Sequence, residues 1–315
     1  MRILDPDLLI RDSHHHLVND ESHRYTIEDL RADVALGHRV VGTIYVEWTP
    51  GREAAAPADG GAADVAVTAS IIDTDPDGLV EAIVGYADLA GENLTEVLEA
   101  HIGAGKGRFR GVRNMTAWDP EFDLGAPPGR LLEPQFRRGL ALLSGMELTF
   151  DAFLLSSQLA ELLEVARELD GLTIVLNHFG GPVRMPRHAL DASEMRAEWR
   201  ARMSELAACP NVFVKLGGIG MSLYGASYQT DGVRPFDEVI ADVWSDDIRS
   251  VIDTFGPDRC MFESNFPADR GLCDYATLWN AFKLMTAEYS VSERADLFAN
   301  SAGRAYSLGN AEDRR

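Results

Sequence analysis

The segment Asp12-Ser13-His14-His15-His16 holds two imidazoles two residues apart. At a strand end, alternation puts His14 and His16 on one face with Asp12 and turns His15 to the other, so the pair can grip one metal ion or one substrate atom. Alone, such a pair reads more readily as a solvent-facing cluster. Others reinforce it. His178 falls where Thr173–His178 breaks into Phe179-Gly180-Gly181-Pro182. Glu263 and Asn265 share a parity before Pro267, as do Tyr45 and Glu47. Carboxylates at such ends can take protons from water. Arg113 has inward parity, suiting a clamp on a substrate carboxylate or carbonyl, or a salt bridge to Asp151 or Asp88. Lys215 should face inward at the depth of Glu263 as a substrate-binding residue, and a buried Lys215–Glu263 ion pair is the structural alternative for both. Tyr45 is expected to bind substrate, while Trp48, Trp118 and Tyr224 can wall a pocket for a ring or serve as packing.

These residues require strands to carry them. Short apolar runs alternate with stretches of helical period, which argues for parallel βαβ units. Eight runs read as strands: Leu8–His16, Arg39–Glu47, Ala82–Asp88, Phe109–Asn114, Glu147–Phe153, Leu172–His178, Asn211–Gly217 and Arg259–Asn265. Helices are expected over Gln158–Leu169, Glu194–Ala208 with Ser193 as cap, Asp237–Phe255, Tyr275–Tyr289 and Ser292–Tyr306. Eight strands in 315 residues predict a single (β/α)8 TIM barrel, with its site at the carboxyl ends of the strands. An open doubly wound sheet is the fallback, but no GxGxxG follows the first strand. One domain over residues 1–315 is expected, with a mobile loop at about 50–63 and a frayed polar tail from Asn310.

Composition narrows the partners. The formal net charge is -21, which repels nucleic acid and anionic lipid. A small-molecule substrate is expected, no nucleic acid and no membrane, and a homo-oligomer stays open. The start has no apolar region behind a basic residue, and Cys209, Cys260 and Cys273 form no CxxC. Both features predict a cytoplasmic protein with reduced thiols.

The motifs DSHHHL, IVLNHFGGP and RCMFESNFP, at strands one, six and eight, resemble the amidohydrolase-2 group of the amidohydrolase superfamily. The similarity is greatest to its lactonase-containing branch, with pyrone-dicarboxylate lactonase-like and sugar-lactonase-like hydrolases. RGVRNMTAW, FDAF and NVFVKLGG support it, and it runs from Asp12 to Tyr306. The resemblance implies that His14 and His16 bind a metal or hold the substrate carbonyl, and that His178 completes the cluster. It implies at most one divalent metal such as zinc, on His14, His16 and His178, or none.

One position departs from the pattern. Where relatives carry an aspartate in a GSDWP-like segment, this chain has Asn265 within ESNFP. An asparagine is no base near neutral pH. The base must then come from Glu47, Glu263 or His178, with Glu47 slightly preferred, and the case for a metal weakens. The leading expectation is water attack on a cyclic ester. A decarboxylase of an aromatic or unsaturated acid and a catalytically silent binding barrel are the alternatives.

Overall fold

The computed structural model describes residues 2–19, 24–48, 60–120, 125–181, 192–224, 226–230 and 232–314. Eight parallel strands form one sheet in sequence order: β1 (Leu9–His15), β2 (Arg39–Val46), β3 (Val80–Gly85), β4 (Phe109–Met115), β5 (Thr149–Phe153), β6 (Ile174–Leu176), β7 (Val212–Leu216) and β8 (Cys260–Phe262). The seam between first and last strands is closed by backbone bonds just beyond β8. Asn265 N–H donates to His14 O (2.8 Å), and His16 N–H donates to Phe266 O (2.7 Å). The predicted barrel is therefore present.

Period-two alternation divides the strand residues into two layers. Ile44, Val46, Ala82, Val84, Val175 and Met261 point into the barrel, where Ala302, Ala305 and Tyr306 of the C-terminal segment join them. Ile10, Ile83, Val112, Phe150, Ile174, Val214 and Phe262 point outward against the helices. The helices are α1 (Ile27–Val34), α2 (Ala62–Thr74), α3 (Leu94–Ala104), α4 (Pro134–Gly145), α5 (Leu159–Glu168), α6 (Ala192–Ala207), α7 (Phe236–Phe255) and α8 (Tyr275–Met285). On α5, Leu159, Leu162, Leu163 and Ala166 are the buried face that the spacing predicts. Asp274 caps α8 by accepting Thr277 N–H at 2.8 Å.

Three local expectations are corrected. Ser193 lies inside α6 rather than capping it. The stretch expected to be one helix to Tyr306 is Val291–Ala295, a π-helical turn Asp296–Asn300, and Ser301–Ala305. The tail is docked, not frayed: Ala311 is buried and Arg314 Nη1 lies 2.6 Å from Glu81 Oε1, whose Oε2 bonds Arg11 Nε at 2.6 Å. Of the expected loop, residues 50–59 lie outside the described residues, and Ala62 and Ala63 begin α2. Cys209, Cys260 and Cys273 are unpaired. Among the described residues no helix is long and apolar enough to cross a membrane.

Candidate active site

A register irregularity between Asp12 and His15 breaks simple alternation on β1. Asp12 consequently does not share the face of His14 and His16. It turns to the helix layer, accepting from Tyr275 OH (3.0 Å) and Ser264 N–H (2.8 Å), and burial pushes its carboxyl up to about 6. His15 also points outward, with Nε2 2.9 Å from Thr43 Oγ1 and its ring beside Tyr45. Tyr45 belongs to that outer layer, so the structure corrects its placement as a substrate-binding residue. The inward groups of β2 are Ile44 and Val46.

His14 and His16 converge, with their Nε2 atoms 3.3 Å apart. His16 Nδ1 is 2.7 Å from Val46 O and must carry the ring proton to donate to it. Both imidazoles are held well below the usual histidine range, chiefly by burial; Lys215 is the next cause for His14 and Arg113 for His16. Both are therefore neutral near pH 7.

Strand alternation would send His178 outward with Leu176. Instead the chain turns at Asn177–Gly180 with left-handed torsions at His178 (φ 53, ψ 38) and Phe179 (φ 46, ψ 27). Such torsions cost on the order of 1–3 kcal/mol each in residues with a side chain. Buried Phe179, packed on Trp199, Tyr224 and Trp244, anchors the turn, while Trp199 Nε1 donates to Phe179 O (3.2 Å). Gly217 and Gly218 supply the space. A Cβ at 218 would lie 2.6 Å from His178 Nδ1, and one at 217 would lie 2.3 Å from Glu263 Cγ.

Glu263 occupies the centre of the cluster, fully buried. Its Oε1 is 2.6 Å from His178 Nδ1. Its Oε2 is 3.0 Å from His14 Nδ1, but off the ring's N–H axis, and makes no directed hydrogen bond. The Lys215–Glu263 ion pair weighed from sequence does not form. Lys215 Nζ bonds Asp151 Oδ2 at 2.7 Å and approaches His14 Nδ1 at 3.3 Å. Asp151 also accepts from Tyr306 OH (2.9 and 2.8 Å) and Asn177 Nδ2 (3.0 Å).

Asn265, itself left-handed (φ 53), donates through Nδ2 to Asp269 Oδ1 at 2.8 Å, and Asp269 Oδ2 accepts Gly220 N–H at 3.0 Å. Burial pushes the Asp269 carboxyl up to about 7. Arg113 Nη2 donates to Glu47 O at 2.5 Å, and Glu47 Oε2 accepts Tyr86 N–H at 2.8 Å. Asp151 and Asp88, the alternatives for Arg113, bond Lys215 and Arg130 (3.2 Å). Trp48 packs on His16 and Phe153 on His178. Tyr224 OH donates to His178 O at 3.3 Å beneath the turn, and Trp118 N–H donates to Gln158 Oε1 at 2.9 Å.

Sequence reasoning missed Asp269 and Tyr306. The first had a signal, an acid four residues after Asn265; the second, capping the helix Ser301–Ala305, had none.

The donor set fits a divalent cation. Zinc–imidazole bonds of ~2.0–2.1 Å in a tetrahedron separate two nitrogens by about 3.3–3.4 Å. That matches the His14–His16 spacing of 3.3 Å. Donor atoms of His14, His178 and Glu263 all lie within 4.8 Å of one another, and Glu263 Oε2 is a buried oxygen lacking a hydrogen-bond partner.

A parallel eight-stranded barrel with a histidine–carboxylate cluster at the carboxyl ends of its strands is the architecture of an amidohydrolase-type enzyme. The amidohydrolase family profile matches residues 12–308, and the chain belongs to that family of hydrolases. It is 34% identical over 237 residues (74% of this chain, 71% of the relative) to uncharacterized protein y4mH of Sinorhizobium fredii. It is 28% identical over 242 residues (75% and 74%) to an L-fucono-1,5-lactonase of Burkholderia multivorans. A crystal structure of a zinc-bound amidohydrolase from Burkholderia multivorans superposes with a TM-score of 0.75 at 24% identity, covering 96% of this chain and 100% of that one.

Proposed function

We propose that the protein hydrolyses a lactone to the open hydroxy acid. The observation that carries this reading is the His178 Nδ1–Glu263 Oε1 contact of 2.6 Å beside the converged His14–His16 pair. Similarity to an L-fucono-1,5-lactonase supports a sugar-type ring.

His178, donating Nδ1–H to the Glu263 carboxylate, leaves Nε2 free to take a proton from water. The water oxygen bonds to the carbonyl carbon. His14 and the Arg113 guanidinium stabilise charge gathering on the carbonyl oxygen. Collapse breaks the ring C–O bond, and the proton on His178 passes to the departing ring oxygen. Glu263 stays ionised and stabilises the transient imidazolium. Glu47, bonded to Tyr86 N–H, steadies the carbonyl that orients Arg113. A divalent cation on His14 and His16, with His178 or Glu263 nearby, would supply Lewis-acid polarisation of the same carbonyl.

Arg113 and Lys215 are outnumbered by the carboxylates of Glu47, Glu263 and Asp151, so the site suits a neutral hydroxylated lactone better than a dicarboxylate. A lactone panel followed with a pH indicator, using protein purified without added metal and then with zinc, tests this. Ring opening of neutral sugar lactones is the expected result. No turnover of any lactone, or release of carbon dioxide from aromatic acids instead, sinks it.

A further inference from the structure

His14 Nδ1 faces two groups with opposite demands. Lys215 Nζ, at 3.3 Å, is a donor and needs a lone pair there. Glu263 Oε2, at 3.0 Å but off the N–H axis, is a buried carboxylate oxygen whose charge favours a ring proton there without a directed hydrogen bond. A neutral imidazole carries one N–H, so the choice at Nδ1 decides what Nε2 presents to the pocket.

When Lys215 is satisfied, Nε2 carries the proton. It donates to His16 Nε2 at 3.3 Å, and His16 Nδ1 donates to Val46 O at 2.7 Å. Lys215, His14, His16 and the carbonyl then form one consistently directed chain. When Nδ1 carries the proton instead, His14 Nε2 becomes a lone pair facing the lone pair of His16 Nε2. Two lone pairs at that distance repel unless a cation lies between them.

Lys215 cannot readily leave. It is fully buried, its ammonium is bound to Asp151, and it lies 5.3 Å from the centre of the Tyr306 ring. Tyr306 OH and Asn177 Nδ2 hold the same carboxylate from the C-terminal segment and from the end of β6. A swing away from His14 would break a buried ion pair.

We propose that Lys215, fixed by Asp151 and Tyr306, is a positioning residue that holds His14 as the Nε2–H tautomer and thereby opposes a divalent cation at the His14–His16 pair. The inference rests on that pair being able to hold a cation and is independent of the substrate. In this tautomer the His14 Nε2–H, given to His16 Nε2, is the donor for which a substrate oxygen would compete, and the barrel carries its own fixed cation behind it. Changing groups that orient ligand histidines typically alters metal affinity by about 10–100-fold. Here removal of the opposing donor should raise affinity by such a factor.

The test compares wild type with the double variant Lys215→Met/Asp151→Asn, which removes both buried charges together. Zinc affinity is measured by competition with a chromophoric chelator, and His14 ring 15N shifts are recorded in the metal-free proteins, assigned by their loss in His14→Gln. The expected result is an unprotonated Nδ1 in wild type, a shift toward Nδ1–H in the double variant, and zinc binding roughly 10–100-fold tighter in that variant. A wild-type His14 already protonated on Nδ1, or a folded double variant that binds zinc no more tightly, overturns the proposal. Should the double variant not fold, the wild-type 15N spectrum decides alone. Turnover enters neither readout, so failure of the lactonase reading leaves this result standing.

Discussion

Glu263 and His178 meet across β7, with carboxylate Oε1 2.6 Å from imidazole Nδ1. The contact joins the end of β8 to the turn after β6, and orients a ring whose backbone torsions are strained. A charge-assisted bond of this length also stabilises an imidazolium when one forms.

Glu263→Gln removes that charge while keeping the shape. Turnover should fall by at least ~100-fold, the scale of a general acid–base contribution. The fold should survive because Lys215 is held by Asp151, not Glu263. Glu47→Gln can still accept Tyr86 N–H and should lose much less. Initial rates with thermal midpoints check both; a dead, folded Glu47→Gln beside an active Glu263→Gln would move the base to Glu47.

His14→Ala and His178→Ala should each lower turnover by at least ~100-fold, since the proposed mechanism sets His14 against the developing oxyanion and His178 against the attacking water. Steady-state kinetics decide this, and wild-type-like rates in either variant would make that histidine structural.

Asp151→Asn strands the Lys215 ammonium in the barrel. Breaking a buried pair from one side costs ~3–5 kcal/mol, so urea unfolding should shift strongly toward lower denaturant. Tyr306→Phe leaves the ion pair and removes a hydrogen bond to a charged group, a loss of about 1.5–3 kcal/mol. Equal stability of Asp151→Asn and wild type would contradict the pairing.

Gly218→Ala tests the clearance around His178. Gly218 sits at φ +68, and a Cβ there would stand 2.6 Å from His178 Nδ1. Activity should drop well beyond any change in thermal midpoint, because the ring must tilt away from Glu263. Unaltered activity would show that His178 has room to move without consequence.

Asp269 predicts a pH dependence. An unfolded aspartate titrates near 3.8, whereas burial pushes folded Asp269 up to about 7. Between these values the native chain holds a proton that the unfolded chain lacks, so this group's contribution to stability falls as pH rises from about 4 to about 7. Asp269→Asn should flatten that slope in thermal midpoints taken across the range. Asn265→Asp, which supplies the aspartate that the resemblance implies there, sets a carboxylate where Nδ2 now lies 2.8 Å from Asp269 Oδ1. It should steepen the slope, and an unchanged profile in both variants would remove Asp269 from the account.

The alternation of apolar and polar residues is a local property, and it determined the eight strands, their order, and the inward direction of Lys215, Glu263 and Arg113. The family resemblance, carried by motifs at three strand ends, singled out His14, His16 and His178 as candidates, and residue type determined that Asn265 cannot act as a base. Other features depended on neighbours distant in the chain. The irregularity in β1 turned Asp12 toward Tyr275, and left-handed torsions brought His178 inward against the parity of its strand. Parity could place Lys215 and Glu263 at one depth, but their partners followed from which side chains the closed barrel brought closer. Asp151, held by Tyr306 and Asn177, takes Lys215, while Glu263 is left to two imidazoles. A spacing rule describes one strand at a time; a buried charge pairs with whatever the closed fold sets within hydrogen-bond reach, and only the tertiary structure decides that.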